Sequence, residues 1–319
     1  MNVVVTGAAG FLGSRVVDVL LSKDSPISVA KLLLLDSFQI LKRNDKRVTN
    51  LTLDLTGPTA VEQVIPADTD VVFHLAAVVS GHAEVEFDYG LQVNFDITRA
   101  LIERARRLSP RIRFVFTSTC GVFGGELPAV IEDGTATQPQ NTYGTAKAMC
   151  ELLLNDYGRK GFVDTRIVRL PTVSVRAGKA NRAVTSFASG IIREPLNGEE
   201  AVCPVSEDQD LWLTSPSTVV RNIIHAATLP SDVLGSWRVI NLPGICVSVR
   251  EMIQALREVA GAKIAALVRF ERDDFISHLV SSFPTKFDNT RGLELGFAVD
   301  ESFEDIIRLY VREDLNRTI

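Results

Sequence analysis

Asn2-Val3-Val4-Val5-Thr6-Gly7-Ala8-Ala9-Gly10-Phe11-Leu12-Gly13, followed by Val16, Val17, Leu20 and Leu21 at helical spacing, is the stretch that decides the fold. The β-branched run reads as a strand, the glycines as a turn, and the apolar spacing as a helix. Gly7 permits the tight turn, Gly10 lets the backbone approach a pyrophosphate, and Gly13 lets the helix pack close to the strand. The phosphates of a dinucleotide then fall on the helix N-terminus, with Gly7, Ala9, Gly10, Phe11 and Leu12 as contacts. A glycine pattern alone also fits a plain turn; its position between strand and helix favours the dinucleotide.

The alternation continues outward. Ala30 to Leu35 reads as a second strand ending in Asp36, whose carboxylate can accept hydrogen bonds from adenosine ribose hydroxyls and repel a 2′-phosphate. That favours NAD over NADP, with Lys42 and Arg43 able to offset part of the repulsion. Val48 to Leu53 reads as a third strand with Asp54 and Leu55 beside the adenine. Asp70 to Leu75 reads as a fourth, after which Ala76 and Ala77 let the backbone pass close to the cofactor. His74 reads as a packed strand residue. The spacing of Leu91, Phe95, Thr98, Leu101, Ile102 and Ala105 predicts one long amphipathic helix from Glu84 to Leu108, with Asn94 inside it. Arg111 to Ser118 and Phe162 to Leu170 supply two more strands. The expected fold is α/β, a Rossmann-type doubly wound parallel sheet over residues 1–171, with a smaller C-terminal substrate-binding lobe over 172–319. Some later segments, among them a strand from Trp237 to Leu242, are expected to return to the first domain. Helices are expected at Val219 to Leu229, Val249 to Val259 and Ser302 to Val311.

Two hydroxyls and one pair carry candidate chemistry. Thr119 leaves the fifth strand at its carboxyl end, where open α/β sheets bind ligands, and Ser118 stands next to it. Tyr143 and Lys147 lie four apart, so on a helix the ammonium stands beside the phenol. A nearby cation pulls a phenol below its ordinary pKa of about 10, toward proton exchange with a substrate hydroxyl near neutral pH. Taken alone, the pair is also an ordinary helix-surface contact.

Composition narrows the partners. The chain has 319 residues, of which 46% are hydrophobic and 23% charged, and a formal charge of −5 without any basic block. No nucleic-acid or membrane partner is expected, and the ligand should be small. The strand-like start, the absence of a basic leader and of an apolar run near twenty residues point to the cytoplasm. Cys120, Cys150, Cys203 and Cys246 are scattered, as are the four histidines, so no metal site is expected.

Taken together, Thr6-Gly7-x-x-Gly10-x-x-Gly13, Asp36, Asp54-Leu55, Asn94, Thr119 and Tyr143-x-x-x-Lys147 resemble the extended short-chain dehydrogenase/reductase family over nearly the whole chain. The resemblance implies NAD as cofactor, also touching Leu75, Ala76, Ala77, Pro171 and Val173. It implies Tyr143 as acid/base, Lys147 as its electrostatic partner and ribose ligand, Thr119 (or Ser118) as the orienting hydroxyl, and Asn94 in support of a water. Many members act on nucleotide sugars, yet Thr172-Val173-Ser174-Val175-Arg176 stands where those carry Asn-Val-Tyr-Gly-Pro. Ser80 to Glu84, Arg169 to Arg176, Ser186 to Leu196 and Ala201 to Val205 resemble instead a branch that oxidises the C2 hydroxyl of a short sugar acid. On that reading Ser80, His82, Asn181 and Trp212 are candidates for substrate hydroxyls, and Arg176 or Arg182 for the carboxylate, because guanidinium binds carboxylate bidentately. A nucleotide-sugar epimerase or dehydratase and a non-catalytic NAD sensor are the rival readings. A homodimer through a four-helix interface is a further expectation of the resemblance.

Overall fold

The computed structural model describes residues 1–57, 60–178 and 183–317. In chain order the elements begin with β1 (Asn2–Thr6), α1 (Phe11–Leu21), β2 (Lys31–Asp36), β3 (Val48–Thr52), α2 (Ala60–Val64) and β4 (Val71–His74). There follow α3 (Ser80–Val85), α4 (Phe87–Leu91), α5 (Ile97–Leu108), β5 (Arg113–Thr119), α6 (Thr142–Arg159) and β6 (Asp164–Leu170). The later elements include β7 (Thr172–Val173), α7 (Phe187–Leu196), β8 (Ala201–Cys203), β9 (Asp210–Thr214), α8 (Pro216–Thr228) and β10 (Val239–Asn241). The last are β11 (Ile245–Ser248), α9 (Val249–Ala260), α10 (Ala262–Ala265), β12 (Val268–Phe270), α11 (Asp274–Ser281), α12 (Thr290–Glu294) and α13 (Phe303–Glu313).

The chain divides into two compact units, the first comprising Met1–Val122, Asn141–Arg169 and Val220–Ile240. Its sheet has the order β10-β6-β5-β4-β1-β2-β3. β1 pairs in parallel with β2 and β4, β2 with β3, and β4 with β5. The central strands are near-continuous apolar runs because helices cover both faces of such a sheet; Val3, Val4, Val5, Val71, Val72 and Phe73 are all buried. Strand order reverses between β1 and β4, and a ligand crevice forms beyond the carboxyl ends at such a switch point. The doubly wound fold expected from the sequence is the one found.

One long helix was the expectation for Glu84 to Leu108; the structure has α4 and α5 joined by a π-helical turn, Gln92–Asp96, with α3 ahead of them. Glu86 adopts φ −113°, ψ 74°, which is not helical and separates α3 from α4. At the π turn the Ile97 amide donates to Gln92 O, five residues back. Periodicity does not see this break, because Val93, Ile97, Leu101 and Ala105 stay buried across it.

The second unit comprises Phe123–Gln140, Leu170–Val219 and Asn241–Ile319. It holds a three-stranded sheet, β11-β9-β7, and a two-stranded pair of β12 and β8. Ile191, Ile192, Leu213, Met252, Leu256, Ile306 and Ile307 share one apolar core. α9 opens with a capping box in which Ser248 and Glu251 satisfy each other's backbone amides. Buried Asp300 accepts from Thr214 Oγ1 (3.1 Å), Ser215 N (2.8 Å), Ser215 Oγ (2.6 Å) and Thr218 Oγ1 (2.7 Å), tying the end of β9 to the chain just before α13. Among the described residues no helix is long and apolar enough to cross a membrane, and no group of three or more His, Cys, Asp or Glu is placed to hold a metal ion.

In the first unit, α6 and β6 meet over Gly158, where an added Cβ would lie 2.2 Å from Thr165 Oγ1 and 2.4 Å from Arg238 Cδ. Neither neighbour is loose: Thr165 Oγ1 donates to Leu154 O at 3.0 Å, and Arg238 is paired with Asp164 at 3.0 Å. Gly158→Ala should therefore cost about 1–3 kcal/mol through overpacking, seen as a lower thermal midpoint. An unchanged midpoint would mean that Arg238 swings aside without loss.

Candidate active site

A cleft of about 290 Å³ opens at the switch point. It is lined by Gly7, Ala9, Gly10, Asp36, Asp54, Leu55, Leu75, Ala76 and Ala77, all expected from the sequence, and also by Ser37, Phe38, Val78 and Tyr89, which were not. Phe38 is 75% exposed, a large apolar side chain just past Asp36 that motif reading passes over. Of the other expected cofactor contacts, Phe11 and Leu12 begin α1. Pro171 and Val173 belong to the second unit.

The cleft fits a dinucleotide for three reasons on the molecule itself. Gly7 has φ +72°, and a Cβ there would lie 2.7 Å from Ala76 N, so only glycine leaves the turn open. α1 begins after Gly10 with no side-chain cap and no acidic residue in its first turn, which leaves its N–H groups and positive dipole end for an anion. Asp36 lines the same cleft with a carboxylate that can accept hydrogen bonds from ribose hydroxyls. It also accepts from Ala9 N (2.9 Å) and Phe38 N (3.0 Å), so it shapes the glycine turn as well as lining the cleft. Arg43, expected to soften repulsion of a 2′-phosphate, is engaged: it pairs with Asp18 at 2.8 Å and donates to Ser14 O at 3.1 Å.

α6 starts at Thr142 because Asn141 caps it, its side chain accepting from Gly144 N at 2.8 Å. Tyr143 and Lys147 thus stand on its first two turns. Lys147 is buried; its Nζ donates to Thr117 O at 2.8 Å, lies 4.4 Å from the Phe116 ring centroid and 5.7 Å from that of Tyr143. Burial lowers the ammonium from 10.5 to about 8, with Cys150 and Glu151 acting in the opposite direction. The Tyr143 phenol is pushed above its ordinary value, by burial first and then by Cys120. The expected lowering by the lysine is therefore not found: burial and Cys120 set the direction, and the chain by itself favours the neutral phenol.

Thr119 ends β5 half-buried and accepts from Gly121 N at 3.0 Å, which leaves its O–H to donate. Ser118 is buried, and its hydroxyl donates to Glu151 Oε1. Asn94 sits in the π turn; its amide grips Val78, accepting from N (2.9 Å) and donating to O (3.0 Å).

His74 is part of the same framework. Its Nδ1 meets Thr6 Oγ1 at 2.7 Å and its Nε2 meets Thr98 Oγ1 at 2.9 Å. Thr98 donates to Asn94 O at 3.0 Å, so Thr98 accepts from Nε2–H and Nδ1 accepts from Thr6. Burial, then Lys147, lowers this imidazole to about 3, so it is neutral. The chain of bonds links β1, β4 and the π turn, in keeping with the packed strand residue expected.

The remaining candidates are less concentrated. In the first unit Ser80 and His82 lie on α3, and His82 stands 3.6 Å from Glu86 and packs on Tyr89. In the second unit Trp212 is buried and stacks on Phe287 with centroids 5.1 Å apart. Arg176 is half-buried; its amide donates to Ser189 Oγ and its carbonyl accepts from Arg193. Burial, then Arg193, lowers its guanidinium. Asn181 and Arg182 lie outside the described residues.

Comparison with known proteins agrees with this geometry. The model of the NAD dependent epimerase/dehydratase family matches residues 3–228. The chain is 50% identical over 316 residues to a D-erythronate dehydrogenase of Haemophilus influenzae, covering 99% of this chain and 100% of that one. It is 47% identical to a D-erythronate dehydrogenase of Cupriavidus necator over 98% of each. A crystal structure of a nucleoside-diphosphate-sugar epimerase from Agrobacterium tumefaciens superposes with a TM-score of 0.93 at 40% identity, covering 99% of this chain and 95% of that one. With a cleft built for a dinucleotide and likeness of this extent, the chain is an NAD-dependent oxidoreductase and belongs to the NAD dependent epimerase/dehydratase family.

Proposed function

We propose that the chain oxidises the C2 hydroxyl of D-erythronate to 2-dehydro-D-erythronate. The observation that carries this reading is the end-to-end likeness, at 47–50% identity, to two D-erythronate dehydrogenases. NAD accepts the hydride when bound. Gly7, Gly10 and the start of α1 hold its pyrophosphate, Asp36 its adenosine ribose, and Lys147 its other ribose. Thr119 donates to the substrate oxygen, since its O–H is available while that of Ser118 is taken by Glu151. Tyr143, in its phenolate form, receives the hydroxyl proton at Oη. Arg176 is the candidate partner for the carboxylate. The second reading, a nucleotide-sugar epimerase, is favoured by the name of the Agrobacterium structure; it differs in forming no net NADH.

A panel of three- to six-carbon sugar acids and nucleotide sugars, read by NADH absorbance, separates the two. D-Erythronate should give the highest kcat/KM, and Arg176→Ala should lower it about ten- to a hundred-fold through loss of a charge-assisted bond. Turnover of nucleotide sugars with no NADH from any short acid would reverse the order.

Tyr143→Phe keeps the ring and removes the proton acceptor, so NAD binding should survive while kcat falls about 10²- to 10⁴-fold. Because burial holds the wild-type phenol above its ordinary value, its ionised form grows only as pH rises. Oxidation should speed up toward alkaline pH and reduction of the keto acid should slow, a pair of profiles that Tyr143→Phe abolishes.

Asp36→Asn keeps the shape and removes the charge. The ratio of NAD to NADP turnover should fall about tenfold or more; a constant ratio would confine Asp36 to holding Ala9 and Phe38.

A further inference from the structure

We propose that Glu151 is a positioning residue of this site: clamped by Arg169 and Ser118, it fixes the end of β5 that carries Thr119 and keeps a negative charge beside Lys147. The inference rests on the roles proposed above for Thr119, Tyr143 and Lys147. Ser118, Glu151 and Arg169 are 3%, 1% and 2% exposed. Glu151 Oε1 accepts from Ser118 Oγ and from Arg169 Nε (2.9 Å), and Oε2 accepts from Arg169 Nη2 (2.7 Å). This is a bidentate pair with a third donor, joining β5, α6 and β6.

Its register carries the argument. Tyr143, Lys147 and Glu151 follow one another at successive turns along one face of α6. Lys147 takes the carbonyl of Thr117 while Glu151 takes the hydroxyl of Ser118, so two consecutive residues of β5 are fastened to consecutive turns of α6. Thr119 comes next. A buried ion pair contributes little net stability relative to apolar residues of the same volume, so stability alone does not account for one at this point.

The charges around Lys147 single out the same residue. From α6, Tyr143 is neutral and the Cys150 thiol is pushed up to about 11, chiefly by burial. From β4, His74 is neutral; from β5 the Thr117 carbonyl and the Phe116 ring face meet the ammonium. From β6, Arg169 is spent on Glu151. Burial lowers the ammonium, Cys150 and then Glu151 oppose it, and of these two Glu151 is the carboxylate.

The test is NADH binding followed by fluorescence across pH, with NADH formation from D-erythronate measured in parallel. In the wild type, affinity should weaken as Lys147 loses its proton near pH 8. In Glu151→Gln that midpoint should move down by about one unit; a folded variant with an unmoved midpoint overturns the charge role. Ser118→Ala keeps both charges, so its midpoint should match the wild type. Its kcat should fall about ten- to a hundred-fold at little change in KM, through misplacement of Thr119. Unchanged kcat in Ser118→Ala overturns the positioning role, and a loss as deep as that of Tyr143→Phe makes Ser118 the reacting hydroxyl and overturns it too. If Glu151→Gln does not fold, Ser118→Ala decides. A wild type that forms no NADH from D-erythronate refutes the substrate reading, while the binding midpoint still judges Glu151.

Discussion

The first unit depends on a contact between main-chain segments that excludes side chains at residues 7 and 13. A Cβ on Gly13 would lie 2.0 Å from Gly7 O, and one on Gly7 would lie 2.8 Å from Leu75 C. α1 therefore seats directly against the end of β1, and the chain leaving β4 passes against the same turn. Thr6 bonds both neighbours of that junction, through His74 and through Ala76 N at 3.3 Å. Packing aims the N-terminus of α1 into the crevice, and a helix N-terminus so placed is suited to a phosphate group.

The chemical end of the unit is governed by burial rather than by pairing. Burial pushes Tyr143 toward the phenol, with Cys120 acting the same way, and pushes Lys147 toward the amine. A phenolate–ammonium attraction would oppose both shifts; at Lys147 it is Cys150 and then Glu151 that do. A reading based on the i, i+4 spacing includes the attraction and omits the desolvation, which is why it gives the wrong direction for the phenol in the chain by itself. The environment that keeps Tyr143 protonated also makes its proton state sensitive to any charge brought beside it.

Much of this was legible in the residues. The glycine turn, Asp36, Asp54 and the alanines after β4 sit in short local patterns whose geometry is fixed by their own backbone, and they line one cleft. What escaped reading is non-local. Ser118 and Thr119 are chemically alike in sequence, and only Glu151, 33 positions further on, distinguishes them. Arg43 looks like a free cation until Asp18 and Ser14 O are seen to hold it. The π turn hides inside an unbroken apolar stripe. Asp300, gathering donors from the β9–α8 turn some 85 residues earlier, has no motif at all. Asn94 grips Val78 through its amide, and its carbonyl, accepting from Thr98 and from Cys150 Sγ at 3.2 Å, joins the π turn to α6.

Fold and cofactor do not choose the substrate. One scaffold carries many chemistries, so likeness of architecture alone does not name a substrate. The resemblance to nucleotide-sugar enzymes breaks just after β6, at Thr172 to Arg176. In the structure that stretch is anchored: Ser174 N donates to Thr214 O and its hydroxyl to Ala188 O, while Arg176 is held by Ser189 and Arg193. The bonds of Ser174 and of the Arg176 backbone fix the course of the main chain through this stretch, so what distinguishes it from a nucleotide-sugar enzyme is held in place by its own unit and not left to a loose loop.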